Sequence, residues 1–395
     1  MADKWTKYKL SELGFLGRGK SKHRPRNDIS LFGGSYPFIQ TGEIKAANLY
    51  ISNYEQTYNE KGLAQSKLWN EGTLCITIAA NIAETAILKI KACFPDSIVG
   101  FVADNKLCNV YFIKYYIDFI KNKMQSVSGG ACQDNLSLDK IAYFDIEAPK
   151  KKIQDKIAKI LSNYDDLIEN NNMRIKILEE MAQKIYKEWF VDFKFPGHET
   201  ATFKDSELGK IPTDWKIVTV NTFCNIFTGK KNANMAIPNG KYQFYTCAPD
   251  PLLIDTYIHD GRAVIIAGNG SYTGRTLFYN GKFDLYQRTY ACTIKENRTD
   301  DYIYTLYAII KNSLEKDISG GTHGAAIPYI VFEDIAKHKF AFNKTVFDKS
   351  SIIFKKIFDA ILLFNKKNQT LKQTRDILLP RLISGEIDVE NLNIL

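Results

Sequence analysis

Residues 151–190 read KKIQDKIAKILSNYDDLIENNNMRIKILEEMAQKIYKEWF. Apolar residues stand at Ile153, Ile157, Ile160, Tyr164 and Leu167, then at Leu178, Met181 and Ile185, in steps of 4, 3, 4, 3, 11, 3 and 4. Because 11 is 4+3+4, one seven-residue register runs through the polar middle, Glu169-Asn-Asn-Asn172. Neither Gly nor Pro interrupts the stretch before Pro196. It predicts a single helix within 150–193, of about 35–40 residues and ~55–60 Å at 1.5 Å per residue. So narrow an apolar stripe does not stabilise a helix alone, so a partner of similar length is required. Asn171 falls near the middle of the seam, where a buried polar residue costs stability and fixes register.

The partner lies in the same chain. Residues 347–384 carry Ile353, Ile357, Ile361, Phe364, Leu371 and Leu378, without Gly or Pro until Pro380. Leu371 follows Leu178 by 193 residues, and Leu378 follows Ile185 by 193. The rest of the chain repeats as well. Trp5 returns as Trp215 and Gly19-Lys20 as Gly229-Lys230, both 210 later; Lys121-Asn122 returns as Lys311-Asn312 after 190, and Ser128-Gly-Gly130 as Ser319-Gly-Gly321 after 191. Four pairs in the same order, with offsets that change in nearly a single step, are an internal duplication. The fall of 20 between the second and third pairs makes the second copy shorter between Lys230 and Lys311.

The duplication sets the organisation: a globular domain over 1–149, a long helix over 150–193, a linker over 194–213, a second domain over 214–346, a second long helix over 347–384 and a tail over 385–395. Short β-rich runs (72–78, 142–146, 263–267, 339–342) and one helix per copy (110–121, 302–311) give each globular copy a mixed α/β (α+β) character. The expected fold is two similar domains separated by two long antiparallel coiled-coil helices, with internal pseudo-two-fold symmetry.

Composition narrows the function. Apolar residues make up 45% of the 395 and charged residues 25%, which excludes disorder and low complexity. No apolar run approaches the ~18–20 residues of a membrane span, and the first residues show no signal peptide, so a cytoplasmic location is expected. The seven cysteines form no C-x-x-C pair and the five histidines no H-x-x-x-H, which argues against a disulfide framework and a metal site. Lys and Arg exceed Asp and Glu by 53 to 44, a net +9 that suits a polyanionic partner without requiring one. The placement is more telling: Arg18, Lys20, Lys22, Arg24 and Arg26 alternate with no acid between them. Gly17, Gly19 and Pro25 make this a loop able to follow phosphates. Lys230 and Lys231 occupy the matching place in the second copy. Base edges are read by Arg, Lys, Asn and Gln. Gln133 and Asn135, after the Gly-Gly turn of copy one, His323 after that of copy two, and Arg275 in Gly268-Asn-Gly-Ser-Tyr-Thr-Gly-Arg275 are the candidates.

Gly14-Phe-Leu-Gly-Arg-Gly-Lys-Ser21 matches the phosphate-loop pattern letter for letter. Its setting is wrong: Lys7, Lys9 and Glu12 spoil the preceding run as a central strand, Pro25 falls where a helix interior should be, and copy two does not repeat the pattern. No Pro-Pro dipeptide of the adenine-methylase kind occurs, and no nucleophile–base arrangement stands out. No catalytic residue is assigned, and no cofactor is expected on this chain.

Three segments carry a family resemblance: Lys187-Glu-Trp-Phe-Val-Asp-Phe-Lys-Phe-Pro-Gly197, Asp205-Ser-Glu-Leu-Gly-Lys-Ile-Pro212 and Leu371-Lys-Gln-Thr-Arg-Asp-Ile-Leu-Leu-Pro-Arg-Leu-Ile-Ser-Gly385, together with the Gly-Gly-to-Gln133-to-Asn135 stretch. With the duplication, they resemble the specificity subunit of type I restriction–modification systems across nearly the whole chain. The resemblance implies that each globular copy is a target-recognition domain for one half of a split double-stranded DNA sequence. It also implies that the helices space the domains and dock methylase subunits, two in number. Restriction/translocase subunits are further expected partners, with S-adenosylmethionine, ATP and Mg on the partner subunits. Apolar Ile185, Tyr186, Trp189 and Phe190 exceed what one seam needs and are the candidate methylase contacts. Half-sites ~10 base pairs apart match one turn of duplex. A stand-alone double-stranded DNA-binding protein is the alternative.

Overall fold

The computed structural model describes residues 5–79, 81–128, 138–319 and 327–393. They form two compact units, one of residues 1–172 and 365–395, the other of residues 173–364. The first unit is therefore completed by a segment distant in sequence, whereas the second is one continuous stretch of chain.

In the first unit, five strands lie in the order Gly14–Arg18, Ile98–Ala103, Leu74–Thr77, Thr85–Leu88, Tyr50–Ile51. The first four pair antiparallel, and the last joins Thr85–Leu88 in parallel. All four residues of Leu74–Thr77 are buried, as its run of apolar and β-branched residues demands. The helix Val110–Ser128 covers the sheet; Phe112, Ile113 and Tyr115 share one core with Leu74, Ile76, Val99 and Phe101. The pair Trp5–Lys9 and Asp145–Pro149 stands beside it.

The second unit repeats this plan. Its strands run Cys224–Thr228, Thr289–Ile294, His259–Ala267, Thr276–Leu285, Tyr242–Tyr245, with Leu252–Ile254 added at the edge. The fifth strand again pairs in parallel with the fourth. Lys216–Thr219 and Lys339–Phe342 match the separate two-stranded pair. Among the described residues, the first unit alone carries a further four-stranded sheet of Gln56–Tyr58, Phe32–Phe38, Ala92–Cys93 and Leu68–Trp69. Its segment of the chain is where the offset between the copies falls.

The long helices are Lys151–Tyr186 and Lys344–Ile383. In the first unit they pair antiparallel: Asp165 meets Arg375, and Asn171 Nδ2 donates to Asn368 Oδ1 at 2.8 Å, while Asn368 Nδ2 donates to Asn172 Oδ1 at 2.8 Å. Asn171 thus marks the register, as its place in the seam predicts. In the second unit Ala182 and Tyr186 share a core with Phe354, Ile357 and Phe358. Pro380 lies in the last turn of its helix, where it withholds one N–H from the helical ladder, and its carbonyl accepts the Ser384 N–H at 3.0 Å.

The seam differs from the heptad reading. Leu167 and Met181, expected inside, are 54% and 48% exposed, while Ile168 and Ala182, one residue on, are buried. The buried line runs Ile157, Leu161, Asp165, Ile168 in steps of 4, 4 and 3, nearer the 3.6-residue period. A fully buried carboxylate holds a place that hydropathy assigns to an apolar residue. Arg375 Nη1 and the Tyr115 hydroxyl donate to it, and Asn48 Nδ2 donates at 2.9 Å. At the equivalent offset of 193, the second unit has Phe358 for Asp165 and Ala182 for Arg375.

Two further expectations change. Residues 203–212, read as linker, form a hairpin of Phe203–Ser206 and Gly209–Pro212. Its strands are polar and exposed except for the buried Ile211 and Pro212, and the turn relies on Gly209 at φ +83° and on Ser206 Oγ donating to the Gly209 carbonyl at 2.6 Å. The run 142–146 is split between a helix, Leu138–Tyr143, and the strand Asp145–Pro149.

Asp165→Ala removes the buried partner of Arg375, leaving that guanidinium only the exposed Asp376 beside it, and should lower unfolding stability by about 3 kcal/mol. The double variant Asp165→Phe with Arg375→Ala copies the second unit's pair and should recover most of that loss. Urea unfolding measures both, and equal destabilisation by the two would show that the ion pair is not what the site needs.

Candidate nucleic-acid interface

In the first unit the basic segment leaves the edge strand Gly14–Arg18 and is bound along its length. Gly19 N–H donates to the Ile98 carbonyl at 2.8 Å and Lys20 N–H to that of Phe94 at 3.0 Å. A Cβ on Gly19 would lie 2.2 Å from the Pro95 carbonyl oxygen, so only glycine passes there. Lys22 N–H donates to Gln65 Oε1 at 2.6 Å, and Ser66 Oγ to the Lys20 carbonyl at 2.7 Å. Hydrogen bonds from Ser30 and from His23, 2.7 Å away, hold the Asp28 carboxyl down to about 2. The loop is thus preorganised rather than left to the ligand.

The five basic side chains divide. Arg18 and Lys22 are exposed and Lys20 half-buried, and none of the three pairs with an acid among the described residues. Arg24 turns back, its Nη1 donating to the Ser21 and His23 carbonyls at 2.8 Å each. Arg26 Nη2 donates to both Asp96 oxygens at 2.8 and 3.0 Å. The phosphate-loop pattern lies within the strand Gly14–Arg18 and its exit, and no helix follows before Ile29. That geometry lacks the helix N-terminus such a loop requires.

Beside this segment opens a groove lined by Arg26, Asn27, Gln40, Gln56 and Ser97 over an apolar floor of Phe32, Phe38 and Pro95. Gln40 Nε2 donates to Gln56 Oε1 at 3.0 Å, and both amides are exposed. Sixteen residues of chain separate them, so no motif announces the pair.

In the second unit Lys230 is exposed, but Lys231 is not available to a ligand. Its Nζ lies 2.6 Å from the buried Asp284 carboxylate, which also accepts from Thr256 Oγ1 at 2.7 Å. Lys231 therefore neutralises a core acid. Arg275 is half-buried; its Nη2 donates to the Ala248 carbonyl at 2.7 Å, which ties the 247–248 loop to the glycine-rich turn. Asn232 and Gln287 were not among the candidates, yet Gln287 Nε2 donates to Asn232 Oδ1 at 2.9 Å, with both exposed next to Arg288. Gln133, Asn135 and His323 lie outside the described residues.

The four candidate partner contacts turn inward. Tyr186 and Trp189 are buried, and Phe190 packs on Phe347 at 5.5 Å and on Trp215 at 5.9 Å between ring centroids. Ile185 packs against the same clusters. A π-helical turn over Lys187–Val191 continues the helix into this aromatic core. The apolar surplus is absorbed by the unit itself. What the helix does expose is Met173, Ile177 and Met181, four residues apart and each about half accessible. No group of metal-ligating side chains occurs among the described residues, and none of their helices is long and apolar enough to cross a membrane.

Comparison with known proteins agrees with this architecture. The chain is 24% identical to the type I restriction enzyme MjaIX specificity subunit of Methanocaldococcus jannaschii, over 98% of this chain and 94% of that one. It is 32% identical to the EcoDI specificity subunit of Escherichia coli, over 46% of this chain and 40% of that one. The crystal structure of the type I restriction–modification S subunit from M. genitalium superposes with a TM-score of 0.63 at 16% identity, covering 96% of each chain, a likeness of fold. The family described as the type I restriction modification DNA specificity domain matches residues 2–180 and again 212–373. Each match takes in one globular copy and much of the long helix that follows it, and on that evidence the chain belongs to the type I restriction–modification specificity family.

Proposed function

We propose that this chain is the DNA-reading subunit of a type I restriction–modification complex. Each globular copy reads one half of a bipartite double-stranded site, and the helix pair sets the gap between halves and docks methylase subunits. One observation carries the reading most directly: the same five-strand order is built twice in one chain, with different side chains on the loops at its strand ends. A repeated scaffold with divergent loops suits two readings of one kind on two different words. Family membership favours this over a stand-alone DNA-binding protein.

The roles divide accordingly. Arg18, Lys20, Lys22 and Lys230 neutralise phosphates, and the exposed apolar line of Met173, Ile177 and Met181 supports a partner contact on the first long helix. Two methylase subunits supply S-adenosylmethionine chemistry, and restriction/translocase subunits supply the ATP- and Mg-dependent steps. The chain itself chooses the site and catalyses nothing. These assemblies place it in the cytoplasm, beside the DNA.

Mapping methylated adenines in cells that express the complex tests the reading. Replacing residues 1–149 with the corresponding domain of a relative should change one half-site and leave the other intact. If both halves change, one domain does not read one half.

A heptad inserted in register into both long helices adds ~10 Å against ~3.4 Å per base pair, so the gap should widen by about three base pairs. An unchanged gap would reject the spacer role.

Lys230→Ala should leave the melting temperature unchanged and reduce the salt slope of DNA binding by about 0.9, the loss of one phosphate contact. Lys231→Ala should instead destabilise the second unit by roughly 3 kcal/mol, because the Asp284 charge is left buried alone. Thermal melting and salt-dependent binding separate the two.

A further inference from the structure

The two units can be compared at one junction. In the first, Arg18 ends its strand opposite Val99, and the basic segment then meets Asp96, three residues before Val99. In the second, Thr228 ends its strand opposite Tyr290, and the following segment meets Gln287, three residues before Tyr290. A backbone bond ties each junction to the turn before the neighbouring strand, in opposite directions. Lys20 N–H donates to the Phe94 carbonyl at 3.0 Å in the first, and Gln287 N–H to the Lys231 carbonyl at 3.0 Å in the second. Both rely on a glycine at the strand exit, because a Cβ on Gly229 would fall 1.7 Å from the Leu285 carbonyl oxygen, as one on Gly19 would strike Pro95.

What bridges the junction differs. In the first unit it is Arg26 to Asp96, with the Gln40–Gln56 amide pair on the facing wall of the groove. In the second it is Asn232 to Gln287, with exposed Arg288 next in sequence. A glycine exit tied to the neighbouring turn in both units, under exchanged side chains, is what a reading position needs and a structural one does not. An amide hydrogen-bonded to a second amide is held in one orientation while it keeps an acceptor and N–H donors for a ligand. Amides of this kind match the N7 acceptor and N6 donor of adenine in the major groove, as Arg matches guanine.

Resting on the DNA-reading role proposed above, we infer that these junctions are where each unit reads base identity. Gln40 and Gln56 read an adenine in one half-site, and Asn232 and Gln287 read an adenine in the other. Arg26 and Arg288 flank them as guanine or phosphate contacts. The side chains already touch one another, so little ordering entropy is spent when DNA arrives.

The test uses the full chain assembled with its methylase subunits. The variants are Gln40→Ala with Gln56→Ala, and Asn232→Ala with Gln287→Ala. Affinities are measured for the methylated-site duplex and for duplexes changed at each half-site position in turn. The first variant should lose about 5- to 150-fold of discrimination at one A·T position of one half-site, and the second the same at one A·T position of the other. Discrimination unchanged at every position overturns the assignment. So does an equal weakening for all duplexes, the mark of a phosphate contact, or a loss confined to G·C positions. If the unsubstituted complex itself selects no bipartite sequence, the DNA-reading role fails instead, and that control separates the two failures.

Discussion

The first unit is held by a carboxylate that has no exposure to water. Asp165 takes donors from Arg375 on the opposing helix, from Tyr115 on the helix that covers the sheet, and from Asn48 beside the sheet. Three separate parts of the chain are thereby fixed to one point. Such a group is costly to bury, and its return is register: only one alignment of the two helices brings Arg375 to it. The Asn171–Asn368–Asn172 bonds, about two turns along, repeat the same alignment with neutral groups. The second unit settles the equivalent place with Phe358 and Ala182. The two ends of an otherwise repetitive helix pair are therefore chemically distinct, and the pairing is specified as well as stabilised.

That arrangement determines what the loops can do. The strand-end segments that carry Arg18 to Arg26, or Lys230 to Asn232, are anchored by backbone bonds to the turn before the neighbouring strand. Side chains there can vary while the backbone stays. Lys231 shows the limit of reading charge from sequence: two adjacent lysines look equivalent, yet one faces water and the other completes the Asp284 core. The same holds for the aromatic run at the end of the first helix. It looked like spare apolar surface and is instead the packing of Trp215, Phe347 and Phe190.

Much of the architecture was legible because it is periodic or repeated. The long helices announce themselves by spacing, and the duplication by ordered pairs such as Trp5 and Trp215. What escaped is set by non-local partners. Strands of two residues such as Ala92–Cys93 and Leu68–Trp69 have no pattern of their own and exist through their neighbours. The hairpin at 203–212 carries Lys204, Asp205, Ser206 and Lys210, which composition assigns to a linker, and is held by the burial of Ile211 and Pro212. The seam slipped by one residue because a buried Asp reads as exposed until its partners are known. The amide pairs Gln40–Gln56 and Asn232–Gln287 bring together residues 16 and 55 apart, which no spacing rule joins.

The first compact unit takes a helix segment from the far end of the chain, and the tail is bound in turn: Lys156 Nζ donates to the carbonyls of Val389, Glu390 and Leu392 at 3.3, 2.6 and 2.9 Å. A polypeptide ending after one copy would own a rod with no antiparallel mate. Two such half-length products would have to pair to hide it, and fusion of both copies in one chain removes that need. Once fusion freed the two copies to drift apart, a palindromic word could become an asymmetric one without any change of scaffold.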